Sequence, residues 1–130
     1  MAINLIEQLA QHIEFLGLGK MIDDDGVGDV SWGFMPDLPD ECVTVFSTDS
    51  GVPGSKSGAR IQIIVRGRST RSAYERSQEI ADALDDFEGY LNGDGLHATI
   101  EVVNASAGLG TDTKRRELYS SNFLVHYCET

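Results

Sequence analysis

The chain has 130 residues, of which 24% are charged and 41% hydrophobic, and a formal net charge of -11. That length supports one core and hence one domain over residues 1–130, and the charge argues against a protein that binds duplex DNA over its whole surface, because phosphate affinity needs clustered Lys and Arg. No run approaches the ~18 apolar residues of a membrane span, the amino terminus lacks the basic region and cleavage pattern of a secretory signal, and Cys42 and Cys128 match neither a metal spacing nor a disulfide framework, so the cell interior is the expected location.

In chain order, Asn4 with Glu7 resembles a capping pair, and Ile6, Leu9, Ile13 and Leu16 recur at helical spacing, so a first helix is expected to end near Gly17. The polar stretch IDDDGVGD separates it from a short β-prone segment, VSWGF, and Pro36 and Pro39 break any regular element that follows. ECVTVF, from Cys42 to Phe46, reads as a strand. After it, STDSGVPGSKSG has the composition of an exposed loop.

Arg60 to Leu84 is the best-patterned stretch. Ile61, Ile63 and Val65 alternate with Gln62, Ile64 and Arg66, which predicts a strand with one apolar face, interrupted at Gly67. Ser72 with Glu75 fits the S-x-x-E capping box, so a second helix is expected from near Ala73, with Ala73, Ser77, Ile80, Leu84 and Phe87, joined by Tyr74 and Ala81, on its buried stripe. EGYLNGDG reads as turns. Leu96, Ala98, Ile100 and Val102 then give one face of a strand, and in ELYSSNFLVHYCE the residues Tyr119, Phe123, Val125 and Tyr127 share a face. Between these two strands lies ASAGLGTDTKRR, about a dozen residues and too long for a tight hairpin, which is expected to project as a loop tipped by Lys114, Arg115 and Arg116. The whole predicts an α+β fold: a mixed, mainly antiparallel sheet of four to five strands with two helices on one face.

Searches for chemistry return little. Aligning Gly26 with the glycine of a calcium loop puts Met21 at the first ligand position and Trp32 where a bidentate Glu belongs. GLGK at 17–20 lacks the P-loop spacing, and AGLG at 107–110 does not open a helix. His97, His126 and Cys128 meet only if the last two strands pair in the right register, and no fourth ligand accompanies them. No local signature links Ser, His and Asp into a triad, so no catalytic residue, metal or cofactor is assigned.

Charge is unevenly distributed. Residues 1–50 carry ten acids against one lysine, and residues 51–80 carry six basic groups against two acids. Arg66, Arg68, Arg71 and Arg76 gather at the strand-to-helix corner, and Lys114, Arg115 and Arg116 form a second basic cluster. These seven residues are candidates for an interface with a neighbouring subunit's acids, for nucleic-acid contact, or for solvent. Arg71 and Arg76 lie near a helix amino terminus, where the dipole does not favour a cation.

The amino-terminal helix ending in LGLGK, the segment MPDLPDECVTVF with Pro36 and Pro39, the IQIIVRG strand and the pair Ala73–Tyr74 together resemble the bacteriophage minor capsid and tail-completion proteins, whose relatives act as tail terminators. The resemblance implies a non-enzymatic virion protein, assembled in the host cytoplasm, that forms a homo-oligomeric ring, typically a hexamer, at the head-proximal end of the tail tube. Its implied partners are the tail tube protein and the head connector or stopper, with genomic DNA passing through the lumen unbound. The alternatives are a head-completion adaptor or stopper of the neck and a small nucleic-acid-binding module. The loops at 48–58 and 105–116 are expected to order on meeting the tube or connector.

Overall fold

A computed structural model describes residues 2–48 and 58–128, with side chains from residue 5 onward. Helix α1 (Ala2–Phe15) forms because Leu5, Ile6, Leu9, Ala10 and Ile13 make one buried helical face. It starts before Asn4, whose side chain lies outside the described residues. It stops where predicted: Gly17 takes a φ of 79°, its N–H bonds the carbonyl of Glu14 at 2.9 Å, and the N–H of Leu18 bonds that of Ile13 at 3.0 Å. This pair of bonds is a Schellman ending, which glycine favours because the position needs left-handed backbone. Leu16, expected on the stripe, lies past the last turn and is 38% exposed.

Six strands follow: β1 (Val30–Trp32), β2 (Cys42–Ser47), β3 (Ala59–Gly67), β4 (Glu88–Tyr90), β5 (His97–Thr111) and β6 (Glu117–Cys128), with helix α2 (Thr70–Leu84) between β3 and β4. They form one sheet in the order β1-β2-β3-β6-β5-β4, with β1 parallel to β2 and every other pair antiparallel. Ile61, Ile63 and Val65 sit opposite Ser47, Val45 and Val43 on one side and Phe123, Ser121 and Tyr119 on the other. Side chains of both helices join that face in a single core containing Leu9, Ile13, Ile80, Leu84, Ile100 and Val125. Burying a side chain the size of Ile80 or Leu84 contributes about 1.5–3 kcal/mol, so this packing sets the fold. Among the described residues no helix is long and apolar enough to cross a membrane.

The α+β class and the helix-covered face are as expected, but several local features differ. The helix α2 begins earlier: Ser69 is the N-cap, with φ -137° and ψ 158°, accepting from the N–H of Ser72 at 3.1 Å. Ser72 thus serves as the third helical residue, and Glu75 instead pairs with Arg71 at 2.8 Å. Gly67 makes this start possible, because a Cβ there would lie 2.9 Å from that of Ala73. Tyr74 is 45% exposed rather than buried, and Phe87 packs on the core from beyond the helix end. EGY is not a turn but the edge strand β4, which accounts for the strand beyond the expected four to five.

The largest correction concerns residues 105–116. Most of the expected loop is strand, since β5 runs on to Thr111 and stays paired with β6 through Ala107↔Ser120, Gly108↔Tyr119 and Thr111↔Glu117. Three register shifts absorb the irregular sequence, and at Ser106, with φ 55°, side chains replace ladder bonds. The Ser106 N–H donates to Ser121 Oγ at 3.0 Å, and its hydroxyl donates to Gln78 Oε1 and shares a hydrogen bond with the Ser77 hydroxyl, both at 3.1 Å. A short turn closes the hairpin, with the Asp112 carboxylate accepting the N–H groups of Lys114 and Arg116 at 2.9 Å each. The loop expected over 48–58 lies, at residues 49–57, outside the described residues.

Candidate assembly interface

The seven basic residues singled out above fall into two groups by what their side chains touch. Arg66 lies on the sheet face away from the helices, where the connection between β1 and β2 folds over it. Its guanidinium donates to the carbonyls of Asp40 (3.0 Å), Asp37 (3.1 Å) and Pro39 (2.6 Å), and the residue is buried. Arg116 grips the same connection from the hairpin tip. It donates to the carboxylates of Asp112 (2.8 Å), Asp37 (3.1 Å) and Asp40 (3.3 Å) and to the Asp37 carbonyl, with its side chain 9% exposed. Lys114 adds a 2.6 Å bond to Asp37.

These contacts have electrostatic consequences. Hydrogen bonds from Lys114 and Arg116 hold the Asp37 carboxyl below the usual carboxylate range. The backbone N–H of Arg116, then its side chain, does the same to Asp112. Arg76 has a comparable internal role, bonding Asp29 Oδ2 at 2.8 Å and the Leu18 carbonyl at 3.2 Å, which ties α2 to the link between α1 and β1. Arg66, Arg76, Lys114 and Arg116 therefore fasten the chain to itself.

Arg68, Arg71 and Arg115 remain turned outward. The Arg68 side chain is 73% exposed with Asp40 3.6 Å away, and that of Arg71 is 88% exposed despite its pairing with Glu75. Arg115 stands exposed at the hairpin turn with a φ of 62°. Beside Arg71, the half-exposed ring of Tyr74 meets Tyr119 edge-on, with centroids 5.7 Å apart. At the other end of α2, Glu79, Asp82, Asp85 and Asp86 are all exposed. The helix carries no acid in its first turn and no base in its last. Its charges thus run against its own dipole, cationic where the backbone is positive and anionic where it is negative.

Sequence reasoning missed Tyr119 as a surface residue and Asp37 and Asp40 as the internal partners. Period-2 counting placed Tyr119 on the core face correctly, but nothing in it marks where α2 stops covering that face. His97, Cys128 and His126 do share a sheet face, with His97 directly opposite Cys128. Even so, among the described residues no three His, Cys, Asp or Glu side chains are placed to hold a metal ion.

The fold and surface define a small α+β protein that exposes patches of opposite charge at the two ends of α2. Residues 12–128 match the sequence model of the bacteriophage tail terminator proteins, and the chain belongs to that family. It is accordingly a structural component of a phage tail, acting in virion assembly. No curated protein matches the sequence. Among solved structures, a protein that bears no functional name superposes with a TM-score of 0.50 at 14% identity, over 99% of this chain and 95% of that one, a likeness of fold alone.

Proposed function

We propose that this tail terminator works as a ring, a hexamer by the family resemblance, which caps the head-proximal end of the tail tube, stops tube polymerisation and offers the head connector a docking surface. The observation that carries this reading is the separation of unlike charge on one rigid unit, with outward Arg68, Arg71 and Arg115 at one end of α2 and outward Glu79, Asp82 and Asp86 at the other. A surface with two different, mutually attractive patches favours heterologous contacts, which form a ring when the rotation from copy to copy closes. The net charge of -11 suits a lumen through which DNA slides, since an acidic wall repels phosphate.

Light scattering and negative-stain microscopy of the purified protein, with tail lengths in phage lacking it, test the proposal. Rings in solution or on tube ends, together with overlong or unjoined tails in the deletion, are expected. Monomers at every concentration combined with tails of normal length would reject it. Normal tails that fail to join heads would instead assign the chain to the connector side of the neck.

A further inference from the structure

Resting on that reading, we infer that two surfaces of α2 form the subunit contact: the Tyr74–Tyr119 pair with Arg68 and Arg71 at the amino-terminal end of one copy docks on Glu79, Asp82 and Asp86 at the carboxy-terminal end of the next. Two independent features of the monomer point there. One is the charge order of α2, which opposes the helix dipole at both ends. A second copy placed head to tail relieves both ends together, bringing guanidinium groups to carboxylates and the positive helix end towards the neighbour's acids.

The other feature is aromatic. Tyr74 is 45% exposed, packs edge-on against Tyr119 and stands one helical turn from Arg71. Exposed tyrosine beside arginine is the composition of protein contact centres, because tyrosine gives large contact area with little loss of conformational freedom and arginine gives directed hydrogen bonds. The occupant is a second copy of this chain, since the acids that complement the patch lie on the same helix, Glu79 and Asp82 about 12–17 Å along its axis from Arg71, with Asp86 just past its end. Arg66 and Arg116 take no part, being engaged within the chain.

Charge exchange tests the assignment. One variant carries Arg68→Glu and Arg71→Glu, and the other Glu79→Arg and Asp82→Arg. All four side chains are exposed, so circular dichroism should match the wild type, and melting should move by only a few degrees as the reversed charges complement the helix dipole and the Arg71–Glu75 pair is lost. Each variant alone is expected to run as the 14.1 kDa monomer where the wild type assembles, and a 1:1 mixture is expected to recover rings, because each altered patch then meets a complementary one. A third variant, Tyr74→Ser, is expected to raise the assembly midpoint concentration at least tenfold. If the wild type assembles and each reversed variant assembles equally well alone, the surface assignment is overturned and the ring reading stands. If the wild type assembles neither in solution nor on tube ends, and tails lacking it keep their normal length, both fall. If the variants form rings but no longer bind tube ends, the patch belongs to the tube protein and the assignment to a second copy is overturned.

Discussion

His12 shows how much one side chain settles. It is buried on α1, its Nδ1 accepts the Asn92 N–H at 2.9 Å, and its ring lies between Phe15 and Phe87. Nδ1 is therefore the unprotonated nitrogen, and adding a proton would set one N–H against another in an apolar setting. Burial accordingly pushes the imidazole below its ordinary value of 6.5. Between the two values the unfolded chain binds a proton that the folded chain refuses, so stability is complete above about 6.5 and is lost as pH falls through that window. Thermal melts from pH 7.5 to pH 5 should show a falling midpoint. His12→Gln, which keeps an acceptor and cannot titrate, should be less stable at neutral pH but show a flatter profile. Asp37 and Asp112, held below 3.8, add a separate acid loss at lower pH.

At the scale of elements, α2 depends on a serine that the sequence does not single out. Ser69, Ser72 and Glu75 lie in a run where two capping boxes can be written three residues apart, and the earlier one forms, where Gly67 leaves room for Ala73. Ser69→Ala should cost about 1 kcal/mol, a drop of roughly 3–6 °C in melting temperature, whereas Ser72→Ala should cost less because it removes only the return bond. The legible elements were those whose own pattern fixed them, such as Ile61, Ile63 and Val65 on β3. The carboxy-terminal half of β5 was illegible because ASAGLG has no strand propensity of its own; β6 imposes the conformation, and the hydroxyls of Ser77, Ser106 and Ser121 replace missing ladder bonds. The inward use of Arg66 was hidden for a related reason. Its acceptors are backbone carbonyls at Asp37, Pro39 and Asp40, and no sequence pattern marks a carbonyl.

For the whole molecule, charge and packing divide the work. The core and the clamp on the β1–β2 connection hold the subunit, whereas on the proposed reading the outward arginines and acids govern what it meets. Screening separates the two, since the Debye length falls from about 10 Å at 0.1 M salt to about 3 Å at 1 M. Raising sodium chloride to 1 M should therefore dissociate rings into subunits while moving the subunit's own melting temperature by little. Scattering and melting curves on one sample check both outcomes. Rings that persist at high salt would show that contacts other than exposed charge hold them.

The sheet order carries one more consequence. Strand β6, the last of the six in the chain, lies in the middle of the sheet between β3 and β5. While the ribosome is still making that strand, β3 has one open edge, Ile61, Ile63 and Val65 lack their partners on that side, and the Arg116 clamp cannot close. A nascent chain therefore cannot present a finished surface before residue 128 has left the exit tunnel, so only subunits translated through β6 can join an assembly.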